Sequence, residues 1–203
     1  MRTLADWLEA CRSVHGHLCA GQVLGVRMSL LGCREVGIPD PESPAHRKSL
    51  VAWVEIDRCA ADAVSTVTGC RLGKRTLKFA DYGIQAATFL NTQTGRAVRV
   101  VAREDSRQAA ARYFPDEENP RAQQFQAYEV MPESELFDVE AVRVDLPPEE
   151  QPGHPSRRAV CAACGVRVNA GREVVVSGGH PLCRPCAGGA YFRDLTGAGR
   201  PAR

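Results

Sequence analysis

Two clusters of residue types that bind metals stand out in this sequence, one near each end. Near the N-terminus, the stretch H-G-H-L-C places His15, His17 and Cys19 within five positions. Near the C-terminus, residues 161–164 and 183–186 form two C-x-x-C pairs. Imidazole and thiolate are ligands suited to zinc, iron or copper, so the chemistry that both clusters indicate is the binding of a transition metal.

The C-terminal quartet has the spacing of a closed zinc site. Eighteen residues separate the two pairs, and the two residues inside each pair let both sulfurs face one ion. Four thiolates satisfy tetrahedral Zn²⁺ and leave no open position, so this ion is predicted to be structural. The predicted ligands are Cys161, Cys164, Cys183 and Cys186. A hairpin between the pairs and a short helix after them, through Ala190 to Phe192, resemble a treble-clef zinc finger.

The N-terminal cluster needs a ligand from elsewhere in the chain. His17 and Cys19 supply two ligands from one turn, and Cys59 is the natural third because a helix N-terminus lowers the pKa of a thiol. Cys70, at the far end of the same predicted helix, is a weaker candidate. The spacing does not define a tetrahedral set of metal ligands. A His or Cys at a helix start can also serve as a cap or a core residue. A role for Cys19 or Cys59 as a nucleophile stays open as well.

Helices and strands intermixed along the chain must position these residues. The predicted helices cover 3–11, 20–36, 59–68, 105–113 and 121–130, with Thr3 and Asp57 as caps and Gly69 as a stop. The predicted strands cover 49–57, 76–79, 86–91, 97–101 and 137–144. The order lacks strict βαβ alternation, so we expect an α+β fold, a mixed core domain followed by a small finger domain.

The second predicted helix carries a stripe of small residues at helical spacing: Gly21, Gly25, Ser29 and Gly32. Glycine in a helix interior costs about 1 kcal/mol relative to alanine, so several together indicate that another backbone or a ligand comes close. We expect close helix packing, within the chain or across a dimer interface.

The cysteine distribution and a proline-rich stretch divide the chain. No cysteine falls between 71 and 160, and the stretch 147–156 holds four prolines. The predicted organisation is a core domain over 1–146, a linker over 147–158, a four-cysteine finger over 159–193 and a tail over 194–203.

Composition and charge limit the classes of function. A hydrophobic share of 44% and a charged share of 25% are typical of a soluble globular protein. A net charge of +2 is too small to indicate a dedicated nucleic-acid-binding protein. The sequence shows neither a secretory signal nor an apolar run long enough to span a bilayer, so we expect a cytoplasmic protein without membrane association.

Several motifs in order resemble the E-subunit family of formylmethanofuran dehydrogenase, over roughly residues 10–102. They are H-G-H-L-C-A-G-Q-V-L-G-V-R-M, D-R-C-A-A-D-A-V-S-T-V-T-G-C-R-L-G-K-R-T-L, D-Y-G-I-Q-A-A-T-F and T-G-R-A-V-R-V. The resemblance implies an α+β core, a C-terminal treble-clef finger and an intertwined homodimer. It also implies a metal-capable cleft that contains His17, Cys19 and Cys59, with His15, Cys70 and Asp81 nearby.

The residues and the resemblance together indicate a metal-binding accessory protein. Its core cleft is expected to bind Zn²⁺ or another transition metal, and its finger a structural Zn²⁺. The sequence shows no pterin site and no cysteine run for an iron–sulfur cluster, so it is not the catalytic subunit of a molybdenum or tungsten oxidoreductase. An enzymatic role of its own stays open. The alternative is a regulator or metal sensor whose finger binds nucleic acid or a protein partner.

Overall fold

A computed structural model describes residues 2–46, 49–154, 157–176, 178–193 and 195 of the 203-residue chain. The chain divides into two compact units, Met1–Asp145 and Leu146–Arg203. The first unit combines helices with a mixed sheet, which confirms the predicted α+β class.

A five-stranded sheet forms the frame of the first unit. Its strands are β1 (Leu50–Val54), β2 (Leu77–Phe79), β3 (Ala86–Asn91), β4 (Ala97–Ala102) and β5 (Phe137–Val142). They lie in the order β2-β1-β3-β4-β5, with β1 and β2 parallel and all other neighbours antiparallel. The strands β1 and β3 are almost wholly buried, as expected for apolar strands at the centre of a sheet.

Helices pack on this sheet and enclose the main core. They are α1 (Leu4–His15), α2 (Ala20–Glu35), α3 (Cys59–Thr68), α4 (Ser106–Tyr113), α5 (Pro120–Val130) and α6 (Glu133–Leu136). The long helix α2 contacts β3, β4, α3 and α5, so it lies at the centre of the packing. Cys11 and Cys33 are buried side chains of this core.

The small-residue stripe of α2 is where its neighbours come closest. A Cβ at Gly25 would lie 2.6 Å from the Cβ of Ala63 in α3, and one at Gly32 would lie 2.1 Å from the ring of Phe89 in β3. These glycines are therefore required by packing within the chain, and the predicted close approach is confirmed.

Some helix ends follow the predicted local sequence signals, and one predicted cap is absent. Thr3 and Asp6 form the capping box that begins α1, and Gly69, with φ 66°, ends α3 in the left-handed region. The prediction that Asp57 caps α3 is wrong. The N-cap is Arg58, and its side chain makes no capping hydrogen bond, so helix α3 begins without a side-chain cap.

The second unit is built from short elements around the four cysteines. Two-stranded sheets form between β6 (Arg158–Val160) and β7 (Arg167–Asn169), and between β8 (Val174–Val175) and β9 (Pro181–Leu182). A single π-helical turn, Pro185–Gly189, begins within the second cysteine pair and contains Cys186. The prediction that this helix continues through Ala190 to Phe192 is wrong, because Gly188 takes φ 89° and Ala190 is extended.

The structure describes most of the predicted linker and one residue of the predicted tail. The linker range contains a 3₁₀ turn at Pro148–Glu150, and strand β6 begins at its last residue. Of the predicted tail 194–203, only Leu195 lies within the described residues. Across the described residues, no helix combines the length and apolar character needed to cross a membrane.

Candidate metal centres

The first candidate centre lies in the turn between α1 and α2. The ligand atoms of His15, His17 and Cys19 all lie within 4.8 Å of one another. His15 is the last residue of α1, and Gly16 with φ 89° reverses the chain, so the two imidazole rings lie 4.7 Å apart between centroids. Cys19 is the N-cap of α2. One left-handed glycine thus brings two nitrogens and one sulfur together.

The ring of His15 is fixed by a contact with α3. Its Nδ1 lies 2.8 Å from Oδ2 of Asp62, while its Nε2 is inaccessible to solvent and has no hydrogen-bond partner. Leaving a buried polar atom unpaired costs about 1–3 kcal/mol, so such atoms normally have a partner. A metal ion bound by this cluster provides that partner, and the residues therefore fit a transition metal.

Cys59 lies beside the cluster but outside its set of three. It is the first residue of α3, and its thiol is a neighbour of the Cys19 thiol. Burial, followed by the interaction with the Cys19 thiol, raises the pKa of the Cys59 thiol. The expectation that the helix N-terminus lowers this pKa is therefore wrong, because desolvation and a second thiol outweigh the helix dipole.

Gln22 links the two helix starts and was missed by the sequence analysis. Its side chain is fully buried, and its Nε2 donates a 2.9 Å hydrogen bond to the backbone oxygen of Cys59. Its Oε1 is buried without a partner. The available signal was a polar residue next to the glycine stripe, but the Cys59 carbonyl is 37 residues away and cannot be recognised from a local pattern.

Cys70 and Asp81, the other residues predicted near the cleft, are not members of the His/Cys group. Cys70 is buried beyond the C-terminal end of α3, and its Sγ donates a 3.5 Å hydrogen bond to the oxygen of Leu50. Burial raises the pKa of this thiol. Asp81 is exposed in the loop after β2.

The four cysteines of the second unit form the other candidate centre. The sulfurs of Cys161, Cys164, Cys183 and Cys186 lie within 4.8 Å of one another, and the first three side chains are buried. Backbone hydrogen bonds, that of Cys183 foremost, lower the pKa of Cys161 to about 6. The neighbouring thiols raise the pKa of Cys186 to about 12. Four thiolates this close would repel one another, and a divalent ion would compensate their charge, so the quartet fits a metal.

An α+β fold with a His/Cys cluster at a helix start, together with a separate four-cysteine unit, defines a class of metal-binding proteins. The sequence model of the family described as "FmdE, Molybdenum formylmethanofuran dehydrogenase operon" matches residues 14–138. This match covers more than half of the chain, so the protein belongs to that family, as the sequence motifs predicted.

A curated relative and a solved crystal structure are similar to this chain. A "Probable S-adenosyl-L-methionine-binding protein" of Archaeoglobus fulgidus is 31% identical over 211 residues, which cover 93% of this chain but 54% of that protein. The chain thus spans about half the length of this curated relative. A crystal structure of a tungsten formylmethanofuran dehydrogenase FmdE-like protein from Syntrophus aciditrophicus superposes with a TM-score of 0.60 at 19% identity. The superposition covers 95% of this chain and 96% of the chain in that crystal structure, so the two proteins share a fold.

Proposed function

We propose that this chain is a metal-binding accessory protein whose core site holds Zn²⁺ or another transition metal. His15, His17 and Cys19 provide the central ligands, and Cys59 is the candidate fourth. The observation that carries the proposal is that His15, His17 and Cys19 bring their ligand atoms within 4.8 Å of one another while Nε2 of His15 is buried without a partner. Nitrogen and sulfur ligands favour zinc, copper or iron over magnesium or calcium.

The mixed ligand set gives this site a chemistry different from that of the cysteine quartet. If three side chains hold the ion, a coordination position remains for water or for a group of a partner molecule. His17 is exposed, which leaves a route from solvent to the ion. A metal with an open position would supply Lewis acidity, and a substrate or partner would reach it from the exposed side of the cluster, at His17.

The quartet is proposed to bind Zn²⁺ as a structural ion in a treble-clef finger. Four thiolates close the coordination sphere, and the short strands around them leave little apolar surface to bury. The homodimer, the cytoplasmic location and the binding of nucleic acid or a protein partner by the finger stay predictions.

Metal content per chain tests both sites at once. The full-length protein is expected to hold two ions, measured by mass spectrometry of the metals after purification under reducing conditions. His17→Ala and Cys19→Ser are each expected to lose the core ion and to keep the ion of the finger. Cys161→Ser and Cys183→Ser are each expected to lose the finger ion and to keep the core ion. Cys33→Ala, a core cysteine outside both clusters, keeps two. A content of two ions per chain in Cys19→Ser would falsify the core site.

A further inference from the structure

The contact between Asp62 and His15 joins two helices and also influences which nitrogen of His15 carries a proton. A neutral imidazole carries its proton on one nitrogen and a lone pair on the other, and the hydrogen bond at one nitrogen decides which tautomer forms. Oδ2 of Asp62 lies 2.8 Å from Nδ1 of His15 and, as a carboxylate oxygen, accepts a hydrogen bond there. The Nδ1–H tautomer leaves the lone pair on Nε2.

With Nδ1 bound to Asp62, Nε2 is the nitrogen of His15 that remains for a metal ion. Nε2 is buried without a hydrogen-bond partner, and His15 offers a ligand atom within 4.8 Å of those of His17 and Cys19. The hydrogen bond to the carboxylate therefore leaves the unshared electron pair of His15 on Nε2, available to an ion held together with His17 and Cys19. A carboxylate that orients a ligating histidine in this way also raises its basicity toward the metal.

The pair formed by His15 and Asp62 is expected to contribute little to the stability of the fold. The side chain of Asp62 is 55% exposed, and ion pairs at that exposure contribute little to folding. The contact is specific in geometry, however, because it joins the last residue of α1 to the first turn of α3, the turn that also carries Cys59. Asp62 thereby fixes the ring of His15 relative to the two cysteines.

We propose that Asp62 is a positioning residue that holds His15 in its Nδ1–H tautomer and makes Nε2 the metal ligand. This inference rests on the proposed core metal site. Asp62 itself does not contact the ion in this arrangement. It acts through the imidazole, and its loss leaves the three ligands present but the ring free to rotate and to exchange tautomers.

The experiment uses the full-length chain and compares Asp62→Leu, Asp62→Asn and His15→Ala with the wild type. Asp138→Asn is the matched control. Asp138 lies in the edge strand β5, its side chain is 57% exposed, and its Oδ1 lies 2.9 Å from Nη1 of Arg103. Long-range ¹H–¹⁵N NMR of the demetallated protein reports the tautomer of His15. Titration with Co²⁺ against a chromophoric chelator, with the finger loaded, reports the dissociation constant of the core site.

The wild type is expected to show the Nδ1–H tautomer of His15. Asp62→Leu shifts the ring toward Nε2–H and weakens Co²⁺ binding roughly 10–100-fold, the typical loss on removal of such an outer partner. Asp62→Asn gives a smaller loss, because its amide accepts a hydrogen bond from Nδ1 or donates one to it and so permits both tautomers. Asp138→Asn keeps the wild-type affinity.

The possible failures separate this inference from the proposed function. If Asp62→Leu retains the wild-type tautomer and affinity while His15→Ala loses affinity, the metal site stands and Asp62 has no positioning role. The inference is also wrong if the wild-type ring carries its proton on Nε2. If His15→Ala and Cys19→Ser both bind Co²⁺ as the wild type does, the core site itself is wrong.

Discussion

Cys19 and Cys59 form a thiol pair where two helices begin. Cys19 is the N-cap of α2 and Cys59 is the first residue of α3, and neither helix has a side-chain cap at its N-terminus. Both helix starts therefore direct amide groups and a partial positive charge toward this region, which favours thiolates. Burial and the neighbouring thiol act in the opposite direction and prevail at Cys59, whose pKa is raised. A bound cation removes this conflict, because it stabilises both sulfurs as thiolates.

Replacement of Cys59 tests whether it takes part in binding. Cys59→Ala is expected to weaken metal binding at the core site by roughly tenfold or more, since a sulfur adjacent to Cys19 is lost from the ion's surroundings. Cys70→Ala is the control, because Cys70 lies beyond the other end of the same helix. It is expected to keep the affinity and to lower the free energy of unfolding by about 1 kcal/mol, as buried truncations do.

Competition with a chromophoric chelator measures both affinities, and urea denaturation measures the stabilities. An unchanged dissociation constant in Cys59→Ala limits the ligands to His15, His17 and Cys19.

At the scale of single residues, the sequence predicts what spacing alone determines. His17 and Cys19 are two positions apart, and the structure has them in one turn. His15 was expected only nearby, because its place in the group depends on the left-handed φ of Gly16. Its bond to Asp62 spans 47 positions and depends on how α1 packs on α3, which no local pattern encodes.

At the scale of elements, the contact between α2 and α3 sets the distance between Cys19 and Cys59. A Cβ at Gly21 would lie 3.3 Å from the Cβ of Cys59 and 3.7 Å from the sulfur of Cys19. One turn further along α2, Gly25 approaches Ala60 so closely that a Cβ would lie 2.8 Å from its Cα. The missing side chains of these two glycines allow the two helix starts, with their cysteines, to meet.

Gly25→Ala is therefore expected to destabilise the protein although alanine favours helices. The gain in helix propensity is about 1 kcal/mol. The added methyl would lie 2.9 Å from the oxygen of Ala60, and backbone cannot move aside as a side chain can, so overpacking of about 1–3 kcal/mol outweighs the gain. Separation of α2 from α3 also moves Cys59 away from Cys19, so metal affinity at the core site falls with stability.

Gly73→Ala provides the control for this change. No atom lies within 4 Å of a Cβ at Gly73, and its φ is outside the positive region, so its free energy of unfolding is expected to stay within about 0.5 kcal/mol of the wild type. Thermal and urea denaturation measure both variants. A stability of Gly25→Ala equal to or above that of the wild type contradicts the close-packing argument.

The sequence predicts the helices and strands of the first unit better than their arrangement. Apolar periodicity and the end signals Thr3 and Gly69 are local, so α2, α3 and β3 lie close to their expected bounds, whereas α1 runs past its predicted end at 11 to His15. The sheet order is not local, because the parallel pairing of β1 with β2 depends on the path of the chain through α3. The hairpin of β6 and β7 was missed because its strands have only three residues each, too few to show a period.

At the scale of the whole molecule, the two units differ in what holds each of them folded. The first has an extensive apolar core, in which residues from α1 through β5 take part. The buried cluster of the described second unit consists of Cys161, Cys164 and Cys183, with Val168, Leu182 and Cys186 packed against it. A core that consists mainly of sulfur atoms contributes little burial unless an ion joins them, since domains below about 40 residues usually require a metal or disulfides.

Loss of the quartet's metal is therefore expected to unfold the second unit alone. In hydrogen–deuterium exchange on the full-length chain, Cys161→Ser or treatment with a chelator removes the protection of amides in 157–193 and leaves that of 4–142 near the wild-type level. Cys19→Ser, which removes a ligand from the other cluster, leaves the amides of 157–193 protected. Binding of a structural zinc contributes on the order of 10 kcal/mol to such a module, far above what its short strands supply. Retained protection of 157–193 in Cys161→Ser means that apolar packing, and no metal, holds the second unit together.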